Sequence, residues 1–225
     1  RDVAAPSTSG IRSTTGMRPS SGSRWARANP SIPRSTDAVA GDRSGFVHLG
    51  DREVFSGARL RIVNARFRAP DGEEFDRDVV RNQGAVAVVP LLDDGRTVLV
   101  VRQYRGPIDR ELTEIPAGLL DVEGEPPEVC ARRELIEEVG HEATDVVPLL
   151  TTFVAAGFSD HRVSIYLATG LRAVAADRQG PEERHMVVDE LSLDDVPGLV
   201  ERGVLVDAKT IIGLTAVRAR LGLDG

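Results

Sequence analysis

The sequence predicts a layered α/β (α+β) fold: a mixed β-sheet covered by a small number of helices. Three observations carry this. The run GAVAVVPLL (84–92) is apolar without alternation, as in a strand buried on both faces. Several further strand-like segments surround it, separated by Gly, Pro and Asp turn signals. Only three stretches, near 127–139, 193–202 and 207–221, have helical spacing. Strands and helices in this mixture pack as layers around a shared core.

The elements follow in order from Phe46. The segment REVFSGARLRIVNARFRAPDGEEFDRDVVRNQ reads as strands, with Leu60, Ile62 and Phe67 among polar residues and a turn at Pro70-Asp71-Gly72. After the apolar run, Asp93-Asp94-Gly95 turns the chain, and TVLVVRQYR (97–105) is expected to return as its strand partner. RELTEIPAGLLDVEGE reads as a loop. Pro126 and Pro127 suit a helix start, because their missing N–H groups have no intrahelical partner there. Gly140 suits its end. Val129, Ala131, Leu135 and Val139 supply the expected buried face. DVVPLLTTFVA (145–155) and RVSIYLATG (162–170) are expected strands joined by the loop AGFSDH. GPEERHM is an expected loop before a strand at VVDELSL. The last helix has the apolar set Ile211, Ile212, Leu214, Val217 and Leu221.

Composition narrows the function classes. The 225 residues are 41% hydrophobic and 28% charged, enough apolar material for a sizeable core. The net charge of −7 argues against non-specific nucleic-acid binding, which needs a basic face. No apolar run approaches the roughly 18 residues of a membrane span. One cysteine, Cys130, excludes an internal disulfide, and with no secretory apolar segment the cytoplasm is the expected compartment. Residues 1–45 carry seven arginines against three aspartates, +4, which leaves −11 for the rest. This Ser-, Pro- and Arg-rich stretch is expected to be a disordered tail. It reads as a flexible extension, or as sequence upstream of a start at Met17, and shows no clear amphipathic face of an organelle transit peptide. The expected division is thus a tail (1–45), a β-rich N-terminal piece (46–82) and a main domain (83–225).

The chemistry concentrates in GLLDVEGEPPEVCARRELIEEVG (118–140). On the expected helix, Glu134, Glu137 and Glu138 stand at i, i+3 and i+4, so three carboxylates share one face and repel. A solvated helix with charge pairs would also look like RRELIEE. Hard oxygen donors clustered on a rigid face equally suit Mg²⁺ or Mn²⁺. The frame decides between them. Gly118, Glu125, Arg133-Glu134-Leu135, Glu137-Glu138 and Gly140 together resemble the Nudix box. Two departures stand in the box: six residues, not five, separate Gly118 from Glu125, and His141 occupies a usually aliphatic position.

That resemblance implies an α/β/α sandwich and hydrolysis of a nucleoside diphosphate linked to another group, with Mg²⁺ or Mn²⁺. It implies Glu134 and Glu138 as leading metal ligands, Glu137 as a ligand or part of the acid–base network, and the Ala117 carbonyl as a further ligand. Arg133 would orient the glutamates. The β-rich N-terminal piece, VRQYR, EIPAGLLDV and AGFSD resemble the ADP-ribose pyrophosphatase branch. From that likeness come a swapped homodimer built by the N-terminal strands, Arg105 and Asp160 as substrate contacts, and Glu114 near the ligand or dimer seam. It also implies a loop glutamate that positions or deprotonates water, with Glu183 the choice and Glu182 the reserve. The branch typically has proline where Ala156 stands and often glutamate where His161 stands. Other nucleoside diphosphate sugars or dinucleotides therefore remain an alternative substrate class. A non-catalytic nucleotide sensor is a further alternative, although such modules usually lose box glutamates that are all present here.

Overall fold

A computed structural model describes residues 44–57, 60–178 and 181–223, with the side chains at 181 and 182 outside that description. The expected N-terminal tail lies, up to residue 43, outside the described residues.

Three strands, β1 (Val47–Ser56), β2 (Arg61–Arg68) and β3 (Glu74–Arg81), form an antiparallel meander. The Pro70-Asp71-Gly72 turn closes β2 onto β3, with the Gly72 N–H donating to the Ala69 carbonyl at 2.9 Å. The central sheet comprises β4 (Ala85–Pro90), β7 (Ala117–Leu119), β8 (His141–Phe153) and β9 (Arg162–Ala173), in the order β7-β4-β9-β8. Only the β4–β9 pairing in it is parallel. A third sheet orders β10 (Val187–Ser192), β5 (Thr97–Arg105) and β6 (Arg110–Glu114). The helices are α1 (Pro127–Val139), the one-turn α2 (Pro181–Arg184), α3 (Val196–Glu201) and α4 (Ala208–Leu221).

The unbroken apolar run of β4 serves two cores at once. Successive strand side chains point to opposite faces. Ala85, Ala87 and Val89 pack with Ile165, Leu214 and Val217 on the α4 side. Val86 and Val88 pack with Cys130, Ala131 and Leu135 on the α1 side. The result is the expected helix–sheet–helix sandwich. Each fully buried Val or Leu contributes roughly 1.5–3 kcal/mol, so the two faces of this one strand tie both helices to the sheet.

The helix ends follow their local chemistry. Pro127 occupies the first turn of α1, and Gly140 ends it at φ 65°, donating to the Ile136 carbonyl at 3.0 Å. Asp207 caps α4, its carboxylate accepting from the Thr210 N–H at 2.9 Å.

Several expectations need correction. The segment 97–105 is a strand but not the ladder partner of β4. Both edges of β4 are filled by β7 and β9, and among the described residues the pairing toward β5 is one bridge, Leu91 to Val98, just past the end of β4. β5 pairs instead with β6 and β10. The presumed loop after it contains β6 and β7. β6 is rich in charge at its exposed positions, and the three residues of β7 are too few for alternation to be read. Part of GPEERHM is the helix α2, and the strand expected to begin at 145 begins at His141. Val129 is exposed, whereas Cys130, Ala131, Glu134, Leu135, Glu138 and Val139 form the buried side of α1.

Leu135, fully buried between α1 and the sheet, should be a sensitive point. Leu135→Ala is expected to destabilise the protein by about 3 kcal/mol, read as a lower urea midpoint at unchanged m.

Candidate active site

A cleft of about 1430 Å³ opens between the N-terminal meander, β5 and β6, β7, α1 and the start of α4. Its first wall is α1. Glu134 and Glu138, four residues apart, lie 8% and 4% exposed on the packed side of the helix, and Glu137 is half-buried beside them. Arg133 gathers the acids. Its Nη1 donates to Glu134 Oε1 at 2.8 Å and to Glu137 Oε2 at 2.9 Å, while Nε and Nη2 reach the two Glu125 oxygens at 3.2 Å each. The extra residue between Gly118 and Glu125 is taken up in a turn in which the Glu125 N–H donates to the Val122 carbonyl. Glu125 therefore still meets Arg133.

β7 lies directly beside these acids. The Ala117 N–H donates to Glu138 Oε2 at 2.9 Å. A Cβ placed on Gly118 would collide with the Glu134 carboxylate, so glycine is required here by the close approach of a charged group. Burial pushes the Glu138 carboxyl up to about 8, against the Ala117 hydrogen bond and with the charges of Glu134 and Glu183 adding to it. Burial likewise pushes Glu134 up to about 7 against the nearby Arg133, with Glu137 and Glu183 raising it further. Arg133 itself is held protonated, chiefly by Glu125.

The second wall carries a chain of charges. Arg105 Nε and Nη2 donate to the two Glu114 oxygens at 2.6 Å each. Glu114 is fully buried, and Lys209 donates to its Oε2 as well. Lys209 also reaches Asp207 Oδ2 at 3.0 Å. Asp207 in turn accepts from the Thr210 hydroxyl at 2.6 Å, and Thr210 accepts from the Ile115 N–H at 2.9 Å. The third wall joins the meander to the β8–β9 loop. Asp160 accepts from the Asn82 N–H at 2.8 Å and from Arg81 Nη1 at 3.2 Å, and Arg81 also pairs with Asp51. His161 lines the cleft beside Asp160, its pKa held below the usual value by burial.

The cleft thus brings together Ala117, Arg105, Glu114, Arg133, Glu134, Glu137, Glu138, Asp160 and Glu183. The side chain of Glu182 lies outside the described residues. His185 is not among the cleft-lining residues. Sequence reasoning missed Arg81, Gln103, Asp207 and Lys209, all of which line the cleft. For Lys209 a signal existed: it is the one lysine in the sequence.

The donor chemistry fits a hard divalent cation. Two buried carboxylates and a third half-buried one face the same space, and they carry like charges at a desolvation cost that a cation would offset. Among the described residues no three acidic, histidine or cysteine side chains already converge as a ligand set.

The cleft thus sets a wall of carboxylates opposite a wall of paired charges, Arg105 and Lys209 with Glu114 and Asp207. A model of the NUDIX domain matches residues 81–211. The chain belongs to the NUDIX family. It is 40% identical over 174 residues to an ADP-ribose pyrophosphatase of Mycobacterium tuberculosis, spanning 77% of this chain and 84% of that one. An ADP-ribose pyrophosphatase of Bacillus subtilis is 33% identical, spanning 78% and 94%. A GDP-mannose pyrophosphatase of Cronobacter sakazakii is 29% identical, spanning 73% and 90%. A crystal structure of an ADP compounds hydrolase superposes with a TM-score of 0.69 at 24% identity, covering 80% of this chain and 96% of that one. That last likeness concerns the fold. No helix among the described residues is long and apolar enough to cross a membrane.

The raised pKa of Glu138 has a direct consequence for the metal-free protein. An unfolded glutamate loses its proton near 4.5, the folded one near 8. Between these values the folded state holds the extra proton, so stability falls as pH rises and the loss is complete above about pH 8. Glu138→Gln removes that charge and keeps an acceptor for Ala117. It should raise the unfolding midpoint above pH 8, with the gain vanishing towards pH 4.5, as followed by thermal melts in chelator.

Proposed function

We propose that this Nudix hydrolase cleaves the diphosphate of ADP-ribose, giving AMP and ribose 5-phosphate, with Mg²⁺ or Mn²⁺ as cofactor. The observation that carries the reading is the packing of Glu134 and Glu138 against Ala117 and Gly118 at the cleft wall. The names of relatives at 33–40% identity favour ADP-ribose. Nudix hydrolases in general depend on divalent metals, and the acids of this chain are of the right chemistry.

In this reading Glu134, Glu138, Glu137 and the Ala117 carbonyl hold the metal, which would neutralise the diphosphate and lower the pKa of the attacking water. Arg133 orients the glutamates and touches no substrate. Arg105 binds a phosphate or the terminal ribose, with Glu114 fixing its guanidinium plane. Asp160 holds the β8–β9 loop against the end of β3 and so shapes the substrate wall. Glu183 accepts the proton of the attacking water. It lines the cleft, and its charge reaches both Glu134 and Glu138. As the water oxygen bonds to one phosphorus, the bridging P–O bond breaks and the departing phosphate takes the electron pair.

A second reading is another nucleoside diphosphate sugar. Relatives named GDP-mannose pyrophosphatase at 29–31% identity favour it, as do Ala156 and His161, where the ADP-ribose branch usually has proline and glutamate. Product analysis with ADP-ribose, UDP-glucose, GDP-mannose and NADH decides between them. AMP and ribose 5-phosphate should form fastest from ADP-ribose, and chelator should stop the reaction. Glu138→Gln should lower kcat by about 100-fold or more. Binding of ADP-ribose with no turnover would identify a sensor.

The proposed assembly is a homodimer joined through the N-terminal strands. Val47, Leu49, Val54 and Phe55 on β1 are exposed in the single chain, apolar surface that a second copy would cover. Light scattering should give twice the 24.2 kDa chain mass, and Phe55→Asp should halve it.

A further inference from the structure

The charge chain on the second wall of the cleft contains a residue that the metal site does not use. Twenty-seven of the 28 lysine and arginine residues of this sequence are arginines, and the exception, Lys209, lies in the cleft. Its position is unfavourable twice over. It is the second residue of α4, where the positive end of the helix dipole disfavours a cation. Its side chain is only 12% exposed, so its charge is largely stripped of water. Two carboxylates from different parts of the chain offset these costs: Glu114 at the end of β6 and Asp207 at the helix cap.

A lysine suits this place better than an arginine. The ammonium is a compact point charge with three donors, able to bridge two acids that approach at an angle. The planar guanidinium of Arg105 already occupies the other side of Glu114, through Nε and Nη2.

The charge count shows what the lysine does. Arg105, Lys209, Glu114 and Asp207 sum to zero. Without Lys209 the same wall carries −1, in a cleft that already holds Glu134, Glu137, Glu138 and Glu183. Glu114, fully buried, would then depend on Arg105 alone for neutralisation, and the Arg105 charge would be spent within the protein.

We infer that Lys209 is a positioning residue for substrate binding: by sharing the Glu114 carboxylate with Arg105 it leaves the Arg105 charge available to a phosphate in the cleft. Lys209 acts through Glu114 and need not touch the substrate. The inference rests on the reading of the cleft as a diphosphate site.

The test uses inorganic diphosphate, which carries no nucleoside or sugar, titrated calorimetrically with Mg²⁺ into the full chain. Lys209→Met should weaken binding on the order of tenfold. Lys209→Arg, which keeps the charge but not the compact ammonium, should bind more tightly than Lys209→Met and more weakly than the natural protein. Glu114→Gln combined with Lys209→Met returns the wall to zero charge and should bind more tightly than Lys209→Met alone, a coupling that a packing role would not produce. Selective ¹⁵N labelling of the lysine side chain yields one Nζ signal, and Glu114→Gln should shift it. Unchanged affinity in Lys209→Met, or a double variant no better than the single one, overturns the inference. Either result alongside intact ADP-ribose cleavage removes only the role of Lys209. The expected pattern in a protein that ignores ADP-ribose removes only the substrate assignment.

Discussion

Glu134 and Glu138 occupy the side of α1 that packs against the sheet, where an ionised carboxylate is least tolerated. Much of the cleft is arranged around that placement. β7 comes close enough for the Ala117 N–H to reach Glu138, and its next residue has no side chain, so that Glu134 fits. Arg133 collects Glu134, Glu137 and Glu125 and fixes where each carboxylate points. Such an arrangement is costly for stability alone. In the proposed reading, a cation in the cleft offsets the hydration that the acids gave up.

The same arrangement shows what could be read from the residues. The framing of the acids by Gly118, Glu125, Arg133 and Gly140 was legible because those groups lie within one short segment, and their spacing encodes which side chains share a face. The doubly buried β4 was legible because its apolar run lacks alternation. The partner of β5 was not, since an aspartate–glycine turn between apolar runs signals a hairpin without revealing that β7 and β9 fill both edges of β4. The charge chain was hidden for another reason. Glu114 and Lys209 are 95 residues apart, and only the folding of α4 against β4 and β9 brings them together. Val129 failed as a core residue because the periodicity of α1 was read from its apolar residues alone, while its true buried side includes acids.

The walls of the cleft differ in how they are held. The α1 wall is fixed by side chains rooted in the core. The wall at β3 is held by polar fastenings: Asp160 to Asn82 and Arg81, Arg81 to Asp51, and the Ser159 hydroxyl to the Val80 carbonyl. Arg81 holds the Asp51 carboxyl at about 2, so this link keeps its charges throughout the neutral range. The cleft is thus bounded partly by a meander that contributes nothing to the acid cluster. In the proposed reading, that division would let one catalytic wall serve different ligands by changing the other.

Tolerance to length change is divided just as sharply. The additional residue before Glu125 vanishes into a turn and leaves every partner of Arg133 in place. One additional residue inside β4 would act like a shift of reading frame. Val86 and Val88 would exchange sides with Ala87 and Val89, presenting each helix with the other's complement of side chains. Insertions and deletions in relatives of this protein should therefore accumulate before Glu125 and be absent from β4, even though the two segments border the same cleft.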